Sequence, residues 1–238
     1  MIDRALLVSA LALLTWGAPA HGATLNELWP KLNLFQGLDT RSRIVLIAAA
    51  THDRQAAPEG RAPHFEDAQF SVNFDYTLAP RIRTDVPETE WSKSRYLWAR
   101  IGYQYGTNFG FGDAAFRSRM GLAALNSRFP LGGEIWSNNR LRVDLRDAGG
   151  QTSQRYRVRT GLDVTSTVAG YPSTLWVDAE AMYDSRFDTL SRALFRAGVE
   201  LVLDSAWRLE PYLALQVDRL RTETARVAAL GLTLKYYR

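Results

Sequence analysis

The chain has 238 residues, 46% of them apolar, carries a net charge of +4 and contains no cysteine. That length and apolar content give one large domain or two small ones and exclude a disordered chain. The missing cysteines exclude disulfides and thiolate metal sites, and three histidines cannot by themselves build a usual zinc site, so neither a metal nor another cofactor is expected.

In chain order, the first element is a leader. Arg4 supplies a positive start, Ala5 to Trp16 an apolar run, and Ala18-Pro19-Ala20 a small-residue cleavage site. This is the pattern of a secretory signal peptide over residues 1–20, with the mature chain starting at His21. The run is shorter than the roughly 20 residues a spanning helix needs, and after it the longest apolar stretch is Ile44 to Ala50. Residues 21–238 read as a single domain. Segments of strand character follow at 29–37, 41–52, 66–79, 94–105, 114–126, 138–147, 154–167, 174–184, 191–203, 207–219 and 225–237. In the third, Ala68, Phe70, Val72, Phe74, Tyr76 and Leu78 alternate without a break against Gln69, Ser71, Asn73, Asp75 and Thr77. Tight connections, such as Gly37 to Thr40 and Asp204 to Ala206, mix with longer polar ones, Asp53 to Phe65 and Asp184 to Leu190. Gly106, Gly110 and Gly112 read as a flexible turn. The whole is a meander of antiparallel hairpins.

The stretch from Arg140 to Asp163, RLRVDLRDAGGQTSQRYRVRTGLD, defines two faces. Arg140, Arg142, Arg146, Arg155, Arg157 and Arg159 fall on one side of their strands, and Leu141, Val143, Leu145, Tyr156, Val158 and Leu162 on the other. Arg196 and Arg208 extend the charged face, and the carboxylates Asp144, Asp163, Asp178, Glu180, Glu200, Glu210 and Asp218 fall on it too. The basic excess is almost wholly arginine, since the only lysines are Lys31, Lys93 and Lys235. Arginine suits enclosed bidentate pairing, whereas a solvated basic surface carries more lysine, so the charge is expected inside. A soluble periplasmic barrel or binding protein would instead turn the apolar face inward. Segments of about ten residues, with Tyr103, Tyr105, Tyr183 and Tyr236 near their ends, fit an outer-membrane barrel with an apolar face toward lipid and a charged lumen. The expected fold is therefore all-β, an antiparallel up-and-down transmembrane β-barrel. Eleven segments are visible, yet a barrel with both ends in the periplasm needs an even number. About twelve strands are expected, a short one hiding in Asp53 to Phe65 or Gly106 to Asp113, with ten as the next choice.

At the C-terminus, Gly231 is followed by Leu234 and Tyr236, which resembles the terminal strand read by the barrel assembly machinery, although Tyr237 and Arg238 overhang. The segments ELWPKLNLFQ, NNRLRVDLRD, QRYRVRTGLDV and VAALGLTLKYY, the turn Tyr183-Asp184-Ser185-Arg186 and the strand Leu209-Glu210-Pro211-Tyr212 resemble the bacterial outer-membrane proteins grouped as domain of unknown function 2490. The resemblance runs from about Glu27 to the end and implies an outer-membrane β-barrel without an assigned activity. It transfers no catalytic residues.

Function is accordingly expected to be passive. The lumen either forms a narrow porin-like channel for small anionic solutes, since arginine rings favour anions, or is plugged by its own salt bridges. The alternative is a lipid-modifying hydrolase with a rim site near His52, which stands at a strand end beside Asp53, with His64 across the loop and Ser71 on the next strand. No Gly-x-Ser-x-Gly elbow, phosphate loop or metal cluster supports an enzyme, and a secreted chain with matched charges does not suggest nucleic-acid binding.

Overall fold

The computed structural model describes residues 27–53, 64–79, 93–108, 117–219 and 224–238. Among these residues eleven strands and no α-helix are found. They are β1 (Glu27–Gly37), β2 (Ser42–Asp53), β3 (His64–Thr77), β4 (Leu97–Asn108), β5 (Arg117–Gly132), β6 (Ile135–Ala148), β7 (Gln151–Val168), β8 (Tyr171–Asp184), β9 (Thr189–Val202), β10 (Trp207–Arg219) and β11 (Thr224–Tyr237). Each pairs antiparallel with its chain neighbours, and the sheet closes where β1 meets β11. That seam is parallel, running from Glu27↔Ala229 to Phe35↔Tyr237. The even-number argument is thereby corrected: eleven strands close without a twelfth, because the first and last run in the same direction. Of the regions proposed to hide a further strand, Asp53 to Phe65 and Gly106 to Asp113, the ends belong to β2, β3 and β4, and 54–63 and 109–113 lie outside the described residues. With eleven strands, β1 begins at one rim of the barrel and β11 ends at the other; these are the N-rim and the C-rim below.

Strand phase follows the sequence alternation. On β6 and β7 the arginines point inward and pair by register with one another, Arg140↔Arg159 and Arg142↔Arg157. Leu141, Val158 and Ile101 point outward and are 56%, 55% and 61% exposed. Two-residue turns suit the right-handed twist of neighbouring strands when both residues take positive φ. The Gly149-Gly150 turn between β6 and β7 does so, at φ 61 and 79. Two further expectations are corrected. Gly106 is buried within β4, not in a turn, while Gly110 and Gly112 lie outside the described residues. The Asp184 to Leu190 connection is short, closed by Phe187 N–H and Asp188 N–H on the Asp184 carbonyl.

The interior is not uniformly charged. Val45 on β2 and Met120, Leu122 and Ala124 on β5 are buried inside it, where these strands are apolar on both faces. A separate apolar cluster joins Tyr212 and Ala214 of β10 to Ala229 of β11, packed against Trp29, Trp176, Leu194 and Val227. The register partners of Tyr212 are Gly231 on β11 and Gly198 on β9, and the missing side chains leave room for its ring, which lies 5.8 Å from that of Trp176.

Candidate functional site

The charged lumen is built from strands whose inward positions face one another across short ladder distances. Asp144, fully buried on β6, lies 2.5 Å from Arg142 Nε and 3.0 Å from Arg157 Nε. Glu180 on β8 reaches over β7 to Arg140 and also takes Arg157 Nη1 at 3.3 Å. Asp178 accepts a bidentate pair from Arg196, at 2.9 and 2.8 Å, and is 3.8 Å from Arg159 Nη1. Asp75, also fully buried, holds Arg43 Nε at 2.9 Å and Arg100 Nε at 2.5 Å. Each of these carboxylates is shared by two arginines. Sharing answers the electrostatic problem of arginine opposite arginine, which would otherwise be repulsive. Fixed charge-assisted hydrogen bonds offset part of the desolvation that enclosure costs.

Toward the N-rim, Arg155 and Arg186 both bind Asp184, at 2.7 and 2.8 Å. Arg192 forms a bidentate pair with Asp218, at 2.6 and 3.0 Å. Arg146 donates to Ser118 Oγ at 2.9 Å. Toward the C-rim, Arg128 donates to Asp163 at 2.5 Å and stacks on the Trp136 ring at 4.6 Å; Asn138 binds the same carboxylate. Arg208 donates to the Asp204 and Trp207 carbonyls and lies 5.6 Å over the Tyr237 ring. Glu200 and Glu210 both accept from Lys235 Nζ, at 2.5 and 2.6 Å.

The structure adds one feature that the strand pattern did not predict. Residues 93–96, of which 94–96 were expected to open β4, instead fold into the C-rim mouth, and the strand begins at Leu97. Ser94 is fully buried and Arg95 is 2% exposed. Lys93 Nζ crosses to Glu200 Oε1 at 2.8 Å on β9 and Thr174 Oγ1 at 3.0 Å on β8, and Arg128 of β5 donates to the Lys93 carbonyl at 2.9 Å. Arg95 donates to Thr77 Oγ1 at 3.3 Å and to the Thr40 carbonyl. This strap ties the β3 side of the mouth to the opposite wall. The signal for it was the break in alternation at Lys93-Ser94-Arg95, with two of the cations flanking a small residue.

Of the rim constellation proposed for hydrolysis, the two described side chains, His52 and Ser71, are not brought together. His52 lies on the outward side of β2, edge-on to Phe65 at 5.0 Å, whereas Ser71 is buried on the inward side of β3 and accepts from Asn73 Nδ2 at 3.2 Å. The side chains of Asp53 and His64 lie outside the described residues. Among the described residues no group of three or more His, Asp or Glu is placed to hold a metal. No protein-family model matches the chain, and the search of the curated proteins finds no match.

Proposed function

We propose that this chain is an outer-membrane β-barrel of the type grouped as domain of unknown function 2490, exported with its leader removed, assembled through its C-terminal strand, and closed by its own ion pairs. The observation that carries the location is the inversion of the barrel. Leu145, Leu141, Val158, Leu213 and Leu232 face outward on neighbouring strands and are 44–60% exposed, an apolar surface that a soluble monomer rarely sustains. Outward aromatics gather at both ends. Trp207 with Tyr236 (ring centroids 4.7 Å) and Tyr96 with Phe129 (6.0 Å) lie toward the C-rim, and Tyr156 with Tyr183 (6.1 Å) toward the N-rim. Two such belts are what a bilayer interface selects. Fractionation tests the location: the barrel is expected in outer membranes and to change gel mobility on boiling, and recovery as a soluble periplasmic species with no such change refutes it.

A closed lumen is favoured over an open channel by the strap, since Lys93 spans the mouth to Glu200 and Thr174. The narrow anion channel retains one supporting observation, the sharing of each central carboxylate between two arginines, which leaves the lumen cationic. Planar-bilayer recording separates them. Little conductance in the wild type, rising in Lys93→Ala, fits closure; steady anion-selective conductance in the wild type fits a pore; cation-selective conductance defeats both.

A further inference from the structure

The central lumen holds more cation than its carboxylates neutralise. Glu180 is divided between Arg140 and Arg157, and Asp178 between Arg196 and Arg159. Glu210, the carboxylate nearest Lys31 in charge terms, is bound by Lys235 at 2.6 Å. Among the described residues Lys31 makes no ion pair or hydrogen bond, although it projects inward from β1 into the Coulombic reach of Arg196 on β9 and Arg140 on the far wall, β6. Arg159 has only the 3.8 Å approach to Asp178. Arg140 Nε is buried without a hydrogen-bond acceptor; Arg140 stands opposite Arg159 in the β6–β7 ladder, and Arg159 approaches the carboxylate that Arg196 holds. Arg140, Arg159 and Lys31 therefore bring donors without acceptors toward Arg196, whose own fork is taken by Asp178. Uncompensated like charges in an enclosed, low-dielectric space repel strongly, and a buried donor without an acceptor carries a desolvation cost of its own.

We propose that this convergence of Lys31, Arg140, Arg159 and Arg196 is a binding site for a small polyvalent oxyanion of the phosphate or sulfate class. Two features select an oxyanion over a halide. Guanidinium forks present parallel N–H pairs that match two oxygens of one tetrahedral group, and an ammonium adds a rotatable point charge from the other side. The site belongs to the interior of the barrel and stands whether or not the barrel conducts or resides in the outer membrane.

The test is calorimetric titration of inorganic phosphate into the full-length mature barrel, refolded in detergent micelles, at constant ionic strength held with chloride. One phosphate per barrel is expected. Lys31→Met breaks no ion pair and so leaves the fold's salt bridges in place; it and Arg159→Gln are each expected to weaken phosphate binding at least tenfold. Arg226→Gln, which removes an exposed charge on the outward side of β11, is expected to leave it unchanged. The proposal is overturned if phosphate binds no more tightly than chloride at equal ionic strength, or if Lys31→Met and Arg159→Gln bind phosphate as the wild type does. Should Lys31→Met fail to fold, Arg159→Gln alone decides.

Discussion

Gly231→Ala adds one methyl group where, among the described glycines, a Cβ would meet its nearest neighbour at the shortest distance. Gly231 sits on β11 between Trp29 of β1 and Tyr212 of β10, and a Cβ there would lie 1.9 Å from Tyr212 Cζ and 2.3 Å from both Cε atoms. The ring has to leave, but it is held elsewhere. It packs 5.8 Å from the Trp176 ring, and its own Cβ lies against Gly198, where an added Cβ would be only 2.6 Å away. Displacing the ring forfeits an aromatic pair worth about 0.5–1.5 kcal/mol. Forcing it into filled space costs about 1–3 kcal/mol, so the substitution is expected to destabilise by about 2–4 kcal/mol. Urea unfolding of the micelle-refolded barrel, followed by tryptophan fluorescence, measures this. Gly121→Ala is the matched control, because nothing lies within 4 Å of a Cβ at Gly121; a change within about 0.5 kcal/mol is expected there. On a Tyr212→Ala background the clash no longer exists, and Gly231→Ala should then cost almost nothing. Equal destabilisation by Gly231→Ala with and without the Tyr212 ring would refute the reasoning.

Other substitutions probe the charges, the outer face and the turns. Asp75→Asn leaves Arg43 and Arg100 without their shared carboxylate and should cost about 3–5 kcal/mol in the same unfolding assay; a loss under 1 kcal/mol would show that these arginines find other partners. Val158→Arg, on the outward face, should cost roughly 2–4 kcal/mol in phospholipid bilayers, and a negligible cost would mean that this face does not meet hydrocarbon. At the C-rim, the Asp204 carboxyl is held below its ordinary range by the N–H groups of Trp207 and Ala206, and Asp39 likewise by the Ser42 hydroxyl and the Arg41 N–H. Because the folded value is the lower one, this stabilisation is present above the ordinary carboxylate range near pH 4 and is lost as pH falls through the depressed value. Amide exchange at Trp207 and Ser42 should therefore stay slow at pH 5 and quicken in strong acid, and in Asp204→Asn exchange at Trp207 should lose that pH dependence.

What could be read from the sequence was what a period of two encodes. The inward Arg142 and Arg157 and the outward Val143 and Tyr156 follow from alternation alone, because one residue of slip would turn every arginine outward. Which carboxylate serves which arginine was not readable in the same way. Glu180 binds Arg140 from two strands away, and that reach depends on closure and stagger, which no single strand records. The strap was hidden for a related reason: Lys93 meets Glu200 across the lumen, not along a ladder. The apolar interior was hidden because β2 reads Ile44-Val45-Leu46-Ile47 with no polar phase, so nothing in it tells inside from outside. Gly231 is the converse case. It was noticed as part of a terminal-strand pattern, while its contact with Tyr212 shows a packing reason for glycine there.

The step from eleven visible segments to an even number is one that the residues do not govern. Alternation shows where strands are and which face is which, but antiparallel and parallel partners share the same period, so the direction of the closing pair leaves no mark on it. Parity came instead from assuming where the ends of the barrel lie. The structure meets the consequences of an odd count locally. Parallel pairing is slightly weaker per residue, and the seam is also short, nine paired positions against thirteen for β10 with β11. Pro30 adds to the difficulty, since it lacks an N–H, and the β1–β2 ladder skips Trp29 and Pro30. Compensation comes from inside the C-rim. Phe35 and Tyr237 stack across the seam at 4.5 Å and 6°, with the Arg43 guanidinium 4.7 Å over Phe35 and that of Arg208 over Tyr237. Backbone bonds of 2.9 Å, Gly37 N–H to the Arg238 carbonyl and Arg238 N–H to the Phe35 carbonyl, continue the seam to its end. Tyr237 and Arg238, which looked like an overhang beyond the terminal-strand pattern, are thus the residues that fasten the one parallel joint in the barrel.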